Sequence, residues 1–121
     1  MSPDERSWVL LPHSAYLREL RWYAKKRPAE LSAVLRNLYR TMTLLANSPH
    51  ARTIQAGFLH TEPHGMVAID QRGGVGRLQE TRLYCYAQDD ARTLHLLGIG
   101  NKSSQSADLA RLSPVARSLN S

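Results

Sequence analysis

Four residues in the C-terminal half of the chain have the types and spacing to act on a phosphodiester. Arg82, Tyr84 and Tyr86 alternate with Leu83, Cys85 and Ala87, so a strand here turns the first three to one side. Lys102 follows Gly98-Ile99-Gly100-Asn101, at the end of the next apolar run. A guanidinium fork matches two phosphate oxygens, and an ammonium supplies a second cation. A tyrosine stacks on a splayed base or donates a proton. A protein without a metal could use this set to hold RNA and cut it by attack of the 2′-hydroxyl. The plainer alternatives are an ion pair of Arg82 with Glu80 or Asp70, a solvated loop position for Lys102, and sheet packing for Tyr84 and Tyr86.

The histidines are the acid–base candidates. His64, with His60, flanks a polar loop, and His95 lies between Leu94 and Leu96 in an apolar run. A histidine in that setting is commonly buried and hydrogen-bonded, so His95 is either a core residue or a base. His60, Glu62 and His64 have a metal-like spacing, but Pro63 forbids the helix on which a zinc protease would carry them. No metal and no cofactor is expected. Cys85 is the sole cysteine, which excludes a disulfide framework and CxxC metal sites. Its place inside a strand predicts a buried, inert thiol.

These residues sit in a basic chain. Lys and Arg number 16 against 10 acids over 121 residues, a net charge of +6. Such a domain favours an anionic partner, nucleic acid or an acidic protein. Arg18, Arg21, Lys25, Lys26, Arg27, Arg36 and Arg40 cluster in the first third. They read as a solvated face or a grip on RNA phosphates, with Arg21, Lys25 and Lys26 the first choices. Trp22 and Tyr23 beside them could pack a partner segment. The N-terminal stretch has no long apolar run, so neither a signal peptide nor a membrane span is expected, and a cytoplasmic setting follows.

The elements that must position the site follow from periodicity. The length suits a single domain over 1–121. Ser7–Leu11 is an apolar run closed by Pro12, readable as a strand or as the lead into a helix. Ser14 caps a helix to about Lys26. Pro28 opens a second, in which Leu31, Val34, Leu35, Leu38, Met42 and Leu45 recur at three- and four-residue spacing to about Ala46. Short strand-like pieces are expected at Ile54–His60 and Gly65–Asp70. Gln71–Gly76 is a glycine-rich turn, without the Gly-Lys-Ser/Thr of a phosphate loop. Gln79–Ala87 and Thr93–Ile99 are strands joined by a polar turn at Gln88–Ala91, and Thr93–Ile99 is apolar on both sides, as in a central strand. A short helix carrying Leu109 and Leu112 follows, interrupted at Pro114. The fold class is α+β: a helical hairpin packed on one face of an antiparallel sheet of three to four strands, with the other face open to solvent or ligand.

Over roughly residues 78–109 the chain resembles the RelE/ParE superfamily of bacterial type II toxins, with the HigB/RelE branch nearest. The resemblance rests on Thr81-Arg82-Leu83-Tyr84-Cys85-Tyr86 and on Gly98-Ile99-Gly100-Asn101-Lys102-Ser103-Ser104-Gln105. Asn101 stands where the family has its first basic residue, and Ala68-Ile69-Asp70-Gln71 where active relatives often have Glu-x-Arg. The resemblance implies a RelE-like fold and a metal-independent endoribonuclease that cleaves mRNA on the ribosome. It also implies a cognate antitoxin as partner, and gives Arg82 and Lys102 the phosphate-binding roles. Two rivals remain: a ParE-like toxin, which shares the fold and binds DNA gyrase without nuclease activity, and a non-catalytic RNA-binding or structural module.

Overall fold

A computed structural model describes residues 7–71 and 78–120. The chain is α+β, as expected, but its sheet is larger and mixed. In chain order the elements are β1 (Val9–Pro12), α1 (Ser14–Lys26), α2 (Pro28–Ala46), β2 (Leu59–Thr61), β3 (Met66–Asp70), β4 (Thr81–Gln88), β5 (Thr93–Asn101) and α3 (Gln105–Asn120). The sheet runs β1-β5-β4-β3-β2. β1 lies parallel to β5, and all other pairs are antiparallel. The glycine-rich turn expected at Gln71–Gly76 falls almost wholly outside the described residues.

The hairpin forms where periodicity placed it. Pro28 occupies the first turn of α2, where its missing N–H leaves nothing unsatisfied. Val34, Leu38 and Leu45 of α2 and Tyr16 and Tyr23 of α1 bury against Ile69, Leu83, Cys85, Leu94, Leu96 and Ile99 of the sheet. Each such aliphatic chain contributes about 1.5–3 kcal/mol on burial. Cys85 is buried and free, as expected; burial alone pushes its thiol pKa up.

The opposite face is not open. Met66, Ala68, Tyr84, Tyr86 and Leu97 form a second core with Leu112 and Ala116 of α3. The reason lies at Pro114. α3 is not interrupted there but runs unbroken through all 16 of its residues. Pro114 and Ala110, whose carbonyl Pro114 leaves without a donor, are both exposed, so water can solvate that carbonyl. A bulge in β5 helps to build this second core. Tyr84 pairs with Gly98 and Cys85 with Leu96, which leaves Leu97 as the extra residue and sends its side chain under α3.

At the far edge, β1 stops at Pro12, opposite Leu96. Beyond it the Ile99 N–H of β5 donates to Glu19 Oε1 of α1 (2.9 Å), so a carboxylate takes the place of a neighbouring strand. Among the described residues no helix is long and apolar enough to cross a membrane.

Candidate functional site

Register places the chemistry-bearing residues in two adjacent rows across the α3 face of the sheet. One row is His60–Ala68–Tyr84–Gly98, the next Asp70–Arg82–Gly100. Their small members, Ala68, Gly98 and Gly100, leave space that larger side chains would fill.

Arg82 is held from two sides. Its Nη2 donates to Glu80 Oε1 (3.0 Å), and its Nη1 lies 3.5 Å from Glu62 Oε1. The Arg82 side chain is only 11% exposed, and that of Glu62 9%. The Arg82 Nε and the Tyr84 hydroxyl are buried without a hydrogen-bond partner among the described residues. A buried polar atom left unpaired costs about 1–3 kcal/mol. Two on one face, two residues apart along β4, mark a place where the fold forgoes satisfaction. Burial first, then the Asp108 carboxylate, raises the Tyr84 phenol to about 12. At neutral pH it is a proton donor.

His60 faces the same side. Its Nε2 donates to Asp70 Oδ2 at 2.6 Å, which leaves Nδ1 as the ring's free basic position. Asp70 is 4% exposed, and its backbone carbonyl accepts from Asn37 Nδ2 of α2 (2.8 Å). A buried carboxylate that fixes the tautomer of a half-buried imidazole has the geometry of an oriented general base.

Lys102 sits at the rim. Its side chain is 73% exposed, with Nζ 3.8 Å from Glu80 Oε2. The turn that carries it, Lys102–Ser104, is capped reciprocally. Asn101 Oδ1 accepts the Ser104 N–H (2.9 Å), and Ser104 Oγ accepts the Asn101 N–H (3.0 Å). This capping gives Asn101, the residue where a cation was expected, a structural task. Ser104 Oγ also donates to Asp108 Oδ2 (2.6 Å). Asp108 accepts from Arg111 Nη2 (3.1 Å), which reaches Glu19 at 2.7 Å. Gly100 makes this network possible: a Cβ there would land on the Asp108 carboxylate.

The structure thus brings Arg82 and Tyr84 together, with Lys102 reaching Glu80, which also holds Arg82. It does not bring in the other candidates. Tyr86 is buried and donates to Asn120 Oδ1 (2.9 Å), while its ring edge packs over Gly65; it lines the cleft beside β2 and not the rows of Arg82 and Tyr84. His95 pairs with Tyr86 in register, while Arg82 pairs with Gly100; four residues of β4, about 13 Å along the strand, separate the two. His95 Nε2 donates to Gln88 Oε1 (2.8 Å), and its Nδ1 accepts from His13 Nε2 (2.9 Å). His64 is exposed in the Pro63–Gly65 turn, with φ +61°. Arg21, Lys25 and Lys26 are exposed on α1, beside Trp22 at 52% exposure. His60 and Asp70 are the residues that sequence reasoning underweighted. They flank an antiparallel hairpin, and that register was the available signal. No cluster of three metal-ligating side chains occurs among the described residues: His60 is held by Asp70 and Glu62 by Arg82.

An open cleft of about 890 Å³ adjoins His60 along the β2 edge, lined by Leu45, Arg52, Ile54, Gln55, Leu59 and Asn120 among others. It is a separate space from the two polar rows, although His60 lines both. No family model, no curated protein and no solved structure matches this chain.

Proposed function

We propose that this protein is a metal-independent endoribonuclease of the RelE/HigB kind, the toxin of a type II toxin–antitoxin pair that acts in the cytoplasm on ribosome-bound mRNA. The observation that carries the reading is the shared sheet face of Arg82, Tyr84 and the His60–Asp70 dyad. His60 Nδ1 takes the 2′ proton as the 2′-oxygen attacks phosphorus. Arg82 exchanges its carboxylate partners for the phosphate oxygens as negative charge builds on them. Tyr84 donates a hydrogen bond, and Lys102 approaches from the rim. The bond to the 5′-oxygen breaks and that oxygen takes a proton from water, giving a 2′,3′-cyclic phosphate and a free 5′-hydroxyl, and His60 then returns its proton to the hydroxide left behind. Substrate entry requires α3 to move off Tyr84.

The helical hairpin supports an RNA partner. Every exposed charged residue on α1 and α2 is basic: Arg18, Arg21, Lys25, Lys26, Arg36 and Arg40. Trp22 and Tyr39 stand exposed among them, which joins phosphate attraction to base stacking.

The test is primer extension on mRNA from cells expressing each variant, with melting temperature as the folding control. Arg82→Ala removes about 3–4 kcal/mol of transition-state stabilisation, about 100- to 1000-fold in cleavage rate. Lys102→Ala costs less, because an exposed ammonium is a looser clamp. Wild-type cleavage that Arg82→Ala leaves intact refutes the assignment. One observation favours a second reading: Arg82 is already paired with two carboxylates, and Tyr84 is 0% exposed. A ParE-like gyrase binder without nuclease activity has no need of an open site. Inhibited DNA supercoiling with no mRNA cleavage selects that reading.

A further inference from the structure

The cleft beside β2 has the size and lining of a small-molecule site. Its volume of about 890 Å³ falls in the range such sites occupy, about 300–1,000 Å³. It lies where the C-terminal end of α2, residues 51–56, β2, β3 and the β4–β5 hairpin meet. Its most buried lining residues are Leu45, Met66, Ile69, Cys85 and Leu94, none more than 3% exposed. They give it an apolar floor, to which the Cys85 thiol adds no charge, since burial holds it protonated. The walls carry two full charges, Asp89 and Arg52. Asp89 is committed: its Oδ1 accepts the Ala51 N–H (2.7 Å). Arg52 is exposed on the rim and has no ion-pair partner among the described residues. Its backbone is fixed nonetheless. The turn that carries it, Ala51–Thr53, is pinned to Asp89 by that bond, and the Thr53 hydroxyl donates to the His50 carbonyl (2.7 Å).

An apolar floor beneath one unpaired guanidinium calls for a ligand with an apolar body and a single negative charge. We propose that the cleft binds a medium-chain monocarboxylic acid, with its chain along the floor and its carboxylate on Arg52. The guanidinium fork matches both carboxylate oxygens. Met66 and the aliphatic floor conform to a flexible chain. A nucleotide or other polyanion would bring several charges to a site with one cation, near the Asp89 carboxylate. The proposal uses none of Arg82, Tyr84 and Lys102, so it does not rest on the RNA-cleavage reading.

The test is calorimetric titration of the full chain with hexanoate, octanoate and decanoate below their micelle-forming concentrations. Each added CH₂ that reaches the floor should tighten binding about fourfold. Octanamide, which keeps the chain and loses the charge, should bind at least about tenfold more weakly than octanoate. Arg52→Gln should bring octanoate down to the affinity of octanamide and leave octanamide itself unchanged; because Arg52 is exposed, the fold should be retained. Ala56→Phe sets a ring in the cleft and should weaken both ligands, and Arg52→Gln carries the test if that variant does not fold. On adding octanoate, NMR shifts should centre on Ala56, Val67 and the His60 ring, all of which line the cleft. The proposal is overturned by an absence of saturable decanoate binding, by affinity independent of chain length, or by octanoate binding that Arg52→Gln leaves unchanged. Shifts centred on Leu17 and Trp22 also overturn it, as the mark of adsorption to the exposed apolar residues of α1.

Discussion

Tyr84→Phe separates what the site does for stability from what it does for chemistry. The Tyr84 side chain is 0% exposed, and its hydroxyl has no hydrogen-bond partner among the described residues. Phe keeps the ring and its packing against Ala68 and α3, and removes only the unsatisfied group. Burying an unpaired hydroxyl costs about 1–3 kcal/mol, and the small void left by the oxygen returns part of that. The expected net gain is about 1–2 kcal/mol. A chain of this length unfolds with an entropy of about 250 cal/mol/K, so the melting temperature should rise by about 4–8 °C. Scanning calorimetry at neutral pH reads this directly. If the phenol is retained for catalysis, the same variant should cleave RNA about 10- to 100-fold more slowly, the loss of one hydrogen bond to a charged transition state. A Phe variant that melts below wild type refutes the reasoning, because the hydroxyl must then be satisfied in the resting fold.

Asp70→Asn preserves an acceptor for His60 and removes the charge that would stabilise its protonated form; single-turnover cleavage should fall about 10- to 150-fold, and a rate within threefold of wild type removes His60 from the base role. Gly100→Ala must push the Asp108 carboxylate off Ser104 and Arg111, and chemical denaturation should show a loss of about 2–4 kcal/mol. His95 gives a pH signature. Burial first, and His13 second, hold its pKa below the ordinary histidine value. The unfolded chain therefore takes up the proton first, and this contribution to stability is lost as pH falls through the ordinary histidine range. His95→Gln should flatten the dependence of melting temperature on pH between about 7.5 and 5.5; an unchanged slope places the titration elsewhere.

The parts of the fold legible in the sequence are those whose signals are local. α1 and α2 end where Pro28 and the apolar spacing put them, but Ser14 is the first residue of α1 and not its cap: His13 holds that position, and neither helix start has a side-chain cap. β4 and β5 follow their alternation to within two residues at each end. Thr93–Ile99 is apolar on both sides because β5 is flanked by strands and covered on both faces. What failed to show was set by contacts distant in sequence. Ile54–His60 shrank to the three residues of β2. Val9–Pro12 is a strand because β5 supplies its hydrogen bonds, and no local pattern could choose between strand and helix. The coverage of Tyr84 depended on α3 running through Pro114, a residue that usually ends a helix and here faces water. At the site, the shared face of Arg82 and Tyr84 could be read from period two, whereas the burial of both could not. The His60–Asp70 bond needed the hairpin register that joins residues ten apart.

The central position of β5 constrains how this chain is made. β1 is made before every other described element, yet among the described residues its one strand neighbour is β5. The bond from Ile99 to Glu19 joins residues 80 apart. β5 is also the last of the described strands to be made, and it must enter between β1 and β4. β2, β3 and β4 can pair as they are made, but β1 cannot join them until β5 has emerged, and α3 cannot seal the second core until later still. Long-range pairing of this kind folds slowly. Until β5 arrives, Val9, Leu10 and Leu11 have no strand to pair with.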